Sequence, residues 1–194
     1  MHKQVEKMET TNKHFRLTEE TIEWQGHTLH RIEATRDSYW AKASQKGGFV
    51  ESEDNLMDES WVADEANVWG GARLWRYSAA YGSTQVFDKC ILMDVSQVAG
   101  DSRIHGCGTV VHGAANIYNG VIEDSKDYIV YQGFYEGGTL TAYRDTNEVP
   151  SVTLGGSWYT LPNFIRWAKQ RYNNPDLLKE VRLIAELIRQ RFDK

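Results

Sequence analysis

Just past the middle of this 194-residue chain stand three residues of types that do chemistry: His105, Cys107 and His112. A histidine can act as general base, and histidines with a cysteine thiolate can hold a metal. A second group suits binding rather than catalysis. Trp69, Trp75 and Phe87 offer aromatic rings, and Arg73 and Arg103 offer guanidinium groups; together such residues could stack on a nucleotide base and hold its phosphates. A third group is acidic. From Glu51 to Glu65 come Glu51, Glu53, Asp54, Asp58, Glu59, Asp64 and Glu65, with no lysine or arginine between them. Such a run reads first as a solvated rim and second as a docking surface for a basic partner. No nucleophile paired with a base, phosphate-binding loop or paired-carboxylate site is recognisable along the chain.

What positions these residues is a repeat. A small residue recurs every sixth position at Ser60, Ala66, Ala72, Ser78, Thr84, Cys90, Ser96, Ser102, Gly108 and Ala114. An apolar residue follows two places later at Val62, Val68, Leu74, Ala80, Val86, Leu92, Val98, Ile104 and Val110. A short fixed period marks a solenoid, whose repeats bury their apolar side chains only by stacking. The turn slot of each unit holds Asp64, Gly70, Arg76, Gly82, Asp88, Asp94, Gly100, Gly106 or His112, and Gly and Asp suit a corner with unusual dihedrals. The pattern is that of a left-handed parallel β-helix of hexapeptide repeats, three to a coil, so residues 18 apart stack. Roughly three coils at about 4.8 Å each give a prism about 15 Å tall. The register slips after Ala114, where Ile117 takes the inward place, and the period fades near Glu123.

Stacking sorts the outward residues into columns. One face sets Asn67 and Trp69 over Gln85 and Phe87 over Arg103 and His105. A second carries Arg73 and Trp75 over Ile91 and Met93 over Thr109 and Val111. Its apolar column Trp75, Met93 and Val111, with Ile91 beside it, is expected to lie under a terminal module or against a second copy of the chain. The third face, Ala63, Tyr81 and Ala99 with Ala79 and Gln97, is flat and bland. On this scheme His105 lies on a strand and His112 at a corner, so they do not converge as metal ligands must. They are read as solvated or packing histidines, and no metal or cofactor is expected.

The flanks complete the fold class: mainly β with C-terminal helices. Residues 1–13 read as a frayed or disordered lead. Residues 14–50 form an N-terminal β cap whose alternation around Gln25-Gly26 signals a hairpin. Residues 51–123 are the β-helix, and 124–194 a C-terminal α+β module of a second hairpin and two helices. Thr160 can cap the first helix, with Pro162 in its opening turn; Asn174 caps the second, with Pro175 at its first position. From Arg166 onward eight basic residues face four acidic ones, a solvated helix face first and a phosphate or acidic-partner contact second.

Composition narrows the function. A net charge of -5 argues against general nucleic-acid affinity, though an acidic protein could imitate nucleic acid. The chain carries seven Trp and ten Tyr, many for its length; burial under the flanking modules is the first expectation for them and a place at an interface the second. Two cysteines on repeat positions and no signal peptide point to a reducing, cytoplasmic setting, and no apolar run approaches the ~20 residues that cross a bilayer.

The segments Phe15 to Thr21, Gly26 to Ile32, Gly47 to Leu56 and Trp61 to Arg73, with Gly138 to Tyr143 and Ile184 to Phe192, resemble a family of β-helical proteins encoded by bacteriophages and prophages. The likeness covers about residues 14 to 192 and departs after Arg73, where the family's monotonous Gly-Asn-Ala repeats give way to varied residues. The resemblance implies a mobile-element origin, residence in the host cytoplasm and no catalytic motif. The expected function is therefore non-enzymatic: inhibition of a host defence effector, anti-CRISPR-like, by protein binding or nucleic-acid mimicry. The alternatives are a sponge for a nucleotide immune signal, using Trp69, Phe87, Arg103 and Arg73, and an acyltransferase or metal enzyme, which hexapeptide prisms also house.

Overall fold

A computed structural model describes residues 13–135 and 137–192; but for Lys13, the lead read over residues 1–13 lies outside them. The chain opens with the expected hairpin, β1 (Phe15–Trp24) and β2 (His27–Ala34), paired antiparallel. Gln25 and Gly26 turn it with φ of 50° and 85°, the two left-handed residues of a tight hairpin turn. Strand β3 (Lys46–Val50) pairs antiparallel with β2 on one side and parallel with Asn67–Val68 on the other. It is therefore both the last strand of the cap and the first rung of the solenoid.

The solenoid runs for about four turns, one more than the period suggests, because its first turn begins at Phe49 rather than at Ser60. Its first face stacks Phe49-Val50, Asn67-Val68, Gln85-Val86, Arg103-Ile104 and Val121-Ile122. The second stacks Leu56, Arg73-Leu74, Ile91-Leu92 and Val110-Val111, and the third Trp61-Val62, Ala79-Ala80, Gln97–Ala99 and Asn116–Tyr118. Val50, Val68, Val86, Ile104 and Ile122 point inward and are fully buried, as are Leu74, Leu92, Val62, Ala80, Val98 and Ile117. The small slots from Ser60 to Ser102 are buried as well, with Thr109 and Ala115 rather than Gly108 and Ala114 continuing the column, and their hydroxyls are not orphaned. Ser60 donates to the Leu74 carbonyl at 2.9 Å and Ser78 to that of Leu92 at 3.1 Å, each one coil on. Cys90 fills the same slot, and burial pushes its thiol up to about 12, so it packs and does not react.

The register slips earlier than the sequence suggests. Val111, not Val110, is inward and pairs with Leu92, 19 residues back, because Gly106 (φ 98°), Cys107 and Gly108 (φ 88°) enlarge one corner by a residue. The turn conformation accordingly falls on Gly113 (φ 67°) rather than His112. The extra residue is absorbed two corners on, between Ile117 and Ile122: Ile117 still pairs 19 residues back with Val98, and Ile122 again pairs with Ile104 18 residues back. Val111 thus leaves the outward apolar column and enters the core.

At five corners a carboxylate ties one coil to the next. Asp58 accepts from the Arg76 backbone N–H at 3.3 Å, Asp64 from Gly82 at 2.9 Å, Asp88 from Gly106 at 3.1 Å, Asp94 from Gly113 at 3.0 Å and Glu51 from Gly70 at 2.6 Å. Asp58, Asp64, Asp88 and Asp94 all adopt positive φ. A carboxylate there both tolerates the left-handed turn and satisfies a donor that the ladder leaves unpaired.

Beyond Ile122 a four-stranded antiparallel sheet (Tyr128–Phe134, Gly138–Arg144, Pro150–Leu154, Ser157–Thr160) replaces the expected hairpin. One side of it packs on helices α1 (Leu161–Arg171) and α2 (Pro175–Phe192) through Phe134, Leu140, Ala142, Val152, Phe164, Val181 and Ile188. Asn174 caps α2, its Oδ1 accepting from the N–H groups of Asp176 and Leu177. Thr160 precedes α1 without a side-chain cap bond; its backbone is still paired with Ser151 in the sheet. Among the described residues no helix is long and apolar enough to cross a membrane.

The sheet's other side closes the solenoid. The Tyr143 hydroxyl accepts from the Tyr118 N–H at 2.8 Å and donates to the Tyr118 carbonyl at 2.9 Å; Tyr128 does the same for the His112 N–H and the Val110 carbonyl. Two phenols thereby stand in for the strand that would otherwise pair with the last coil. Tyr143 is fully buried, so Tyr143→Phe leaves two edge groups unpaired and is expected to cost about 2 kcal/mol in urea unfolding. At the corners, Asp64→Ala is expected to cost about 2 kcal/mol, from the lost acceptor and the positive φ, whereas Asp64→Asn keeps both features and costs about 0.5 kcal/mol or less.

Candidate interaction surface

The outward residues of the three faces decide what the prism can bind. On the first face Trp69, Phe87 and His105 form a ladder: Trp69 and Phe87 stack at 4.7 Å and 8°, Phe87 and His105 at 4.8 Å and 10°. The strand spacing of about 4.8 Å sets these separations. Trp69 is only 3% exposed, buried with Leu29 and Phe49 against Ile22 and Trp24 of the hairpin. Phe87 has a ring on each side. Neither residue has a free face for a base, so the platform expected for a nucleotide is occupied by the ladder itself. Arg103 lies 6.0 Å over the Phe87 ring, and Arg73 is on the next face.

His105 ends the ladder between two carboxylates, Nε2 at 3.3 Å from Glu123 and Nδ1 at 3.9 Å from Asp88. His112 is on the second face against Tyr128, and Cys107 is exposed at the enlarged corner. The structure therefore does not bring the three chemically capable residues together, and among the described residues no group of three His, Cys, Asp or Glu side chains could hold a metal.

Four of the seven carboxylates in the acidic run are paired within the chain, and Asp58 and Asp64 accept backbone N–H groups at the corners. Glu51 meets His27 at 2.8 Å, Glu53 meets Lys13 at 2.9 Å, Glu59 meets Arg36 at 2.6 Å and Glu65 meets Arg31 at 3.2 Å. Asp54 is exposed beside them. Charges paired in this way imitate a phosphate backbone poorly. On the second face Trp75, Ile91, Met93 and Val110 are each partly exposed, so neither terminal module buries them completely, and Trp75 leans on Met57 through its indole N–H.

The third face is the one that the sequence leaves unmarked. Tyr39 stacks edge-on against Trp40 at 4.7 Å and Tyr77 at 5.4 Å, and Trp40 meets Tyr81 at 5.9 Å. Tyr81, Ala99 and Tyr118 occupy successive rungs, and Tyr118 contacts Trp158 of the C-terminal sheet at 6.3 Å. Tyr39 is 68%, Tyr77 45% and Trp158 37% exposed, and Val95 and Tyr118 are exposed with them. Most of the chain's exposed aromatic surface therefore gathers on one side, supplied by the linker between β2 and β3, three coils and the C-terminal sheet. Burial pushes the Tyr81 hydroxyl well above the ordinary tyrosine range, and the neighbouring Tyr39 and Asp64 add to that shift.

The His27–Glu51 contact gives a pH handle. The hydrogen bond from His27, helped by the Gly70 N–H, holds the Glu51 carboxyl below its ordinary value against a smaller opposing effect of burial. A depressed folded-state value means that the stabilisation is complete above about 4.5 and is lost as the pH falls through the folded value. Urea midpoints measured from neutral pH down to pH 3 are expected to fall more steeply for the wild type than for Glu51→Gln. No protein-family model and no curated protein matches this chain, so the surface itself is what bears on function.

Proposed function

We propose that this chain is a non-enzymatic, phage-encoded binding protein built on a left-handed hexapeptide-repeat β-helix. Its third face docks on a host protein, a component of a defence system, and blocks it sterically. The observation that carries this reading is the gathering on one face of two aromatic clusters, Tyr39, Trp40, Tyr77 and Tyr81 towards the cap and Tyr118 with Trp158 at the far end, with Ala99 on the rung between them. Exposed clustered aromatics of this kind are rare on surfaces that meet only water and are the residues that anchor protein interfaces. The solenoid makes the surface rigid, so little conformational freedom is lost on docking. The phage resemblance supplies the host setting. The acidic run spends most of its carboxylates on ion pairs and corner bonds rather than on an evenly spaced row of free charges, which favours steric blocking over nucleic-acid mimicry, and the self-stacked ladder weighs against a nucleotide sponge.

Tyr39→Ala/Tyr77→Ala/Trp158→Ala removes three exposed rings and should leave melting within a few degrees of wild type. Expressing the wild type in a host with active defences is expected to restore phage plating, and the triple variant to lose at least about tenfold of that effect together with capture of the defence component. Unchanged defence on wild-type expression, or full inhibition by the triple variant, would overturn the proposal.

A further inference from the structure

The charges bordering the aromatic face describe its partner. On one edge the corners carry Asp58 and Asp94; on the other they carry Asp64 and Glu65, with Asp101 beyond Gly100. Asp37 and Glu59 lie at the end nearest the cap, the first two residues from Tyr39 and the second next to Ser60. The basic residues along the same border are already engaged: Arg76 with Asp94 at 2.9 Å, Arg36 with Glu59 at 2.6 Å, Lys42 with Asp37 at 2.9 Å and Arg31 with Glu65 at 3.2 Å. Seven carboxylates against four cations leave the rim acidic around an aromatic centre.

The chain shows what such an arrangement holds. Around one corner Arg31 lays its guanidinium 4.1 Å over the Phe49 ring while Glu20 and Glu65 accept its N–H groups. An aromatic plane with carboxylates at its edge suits a planar guanidinium, which stacks and forks at once, better than the compact, strongly hydrated lysine ammonium. Resting on the reading of the third face as a docking surface, we infer that the segment seated there is a basic, arginine-bearing polypeptide. Its arginines lie over Tyr39, Tyr77 and Trp158 and reach the corner aspartates.

The corner geometry supplies a clean test. Asp58, Asp64 and Asp94 each sit at positive φ and accept a backbone N–H, features that asparagine retains, so Asp58→Asn/Asp64→Asn/Asp94→Asn/Asp101→Asn removes four charges while keeping the corner bonds. The probes are short fluorescent peptides in which arginine alternates with glycine and serine, and lysine and glutamate versions of them. Binding is read by anisotropy and located by backbone amide shifts in the full chain. The arginine peptide is expected to bind most tightly, the lysine peptide at least about threefold more weakly and the glutamate peptide not at all, with affinity falling as salt rises. The four-asparagine variant is expected to lose at least about tenfold for the arginine peptide while melting within several degrees of the wild type and keeping its backbone amide spectrum away from the corners. Equal binding by wild type and that variant, failure of the arginine peptide to bind, shifts away from Tyr39, Tyr77 and Ala99, or sedimentation showing a second copy on this face would each overturn the inference. Glutamate and arginine peptides binding this face equally would overturn the charge preference alone. The docking face stands or falls separately, on the plating assay with the three-ring variant.

Discussion

The parallel backbone ladder that ties each rung to the one a coil away is the constraint on which the rest of the structure depends. It fixes the inward slot, which accepts only what stacks at about 4.8 Å. Val50, Val68, Val86, Ile104 and Ile122 form one such column, and no member of it touches water. It also fixes where the chain must turn, and a turn at positive φ calls for glycine or a short polar residue. The ladder can absorb an error only by returning the residue that it gained. The enlarged corner at Gly106 to Gly108 and the tightened one after Ile117 compensate, which is why Ile122 rejoins the column begun by Val50.

A ladder of this kind has two raw ends, and the chain closes them differently. At the start the sheet continues, since β3 turns an antiparallel hairpin into a parallel rung without a break in hydrogen bonding. At the finish the C-terminal sheet lies across the last coil, and side-chain hydroxyls take over: Tyr128 and Tyr143 each accept one edge N–H and donate to one edge carbonyl, while Thr141 accepts from the Asn116 N–H. Further strand pairing at that end is thereby blocked, as an exposed edge requires.

Much of the core and little of the surface could be read from the sequence, for a physical reason. Inward residues answer to a local rule, so the small and aliphatic columns, the hairpin at Gln25-Gly26 and the Asn174 cap were all legible. The slip itself was legible at Ile117 but its position was not, because Thr109-Val110-Val111 offers an apolar side chain in either register and Gly108 fits a small slot as well as an enlarged corner. The first turn was obscured because Val50, Leu56 and Val62 keep the aliphatic spacing while Asp54 breaks the small-residue series between Gly48 and Ser60. The self-stacking of Trp69, Phe87 and His105 follows from their spacing of 18 once the rung height is taken as a stacking distance. The third face was illegible because it is non-local: Tyr39, Trp40 and Trp158 come from the flanking modules, and the slip displaces Tyr118 from the column of Tyr81 by one residue.

Outward positions are where a solenoid is free to vary, and the three faces use that freedom differently. The first gives its aromatics to internal stacking, which ties the hairpin to the prism. The second keeps a modest apolar strip. The third gathers rings of which Tyr39, Tyr77, Tyr118 and Trp158 stay exposed, and only Trp40 among them packs on the core. The corner aspartates beside them are different, because Asp58, Asp64 and Asp94 hold one coil to the next and at the same time charge the border of that face. Neutral acceptors at positive φ would serve the corners equally well, as Asn119 does in accepting from the Asp101 N–H at 2.9 Å with φ of 56°. The fold therefore does not require charge at these corners. Where three of these carboxylates border the aromatic face, their charge is a property of the surface, and a basic partner is the chemistry that such a surface fits.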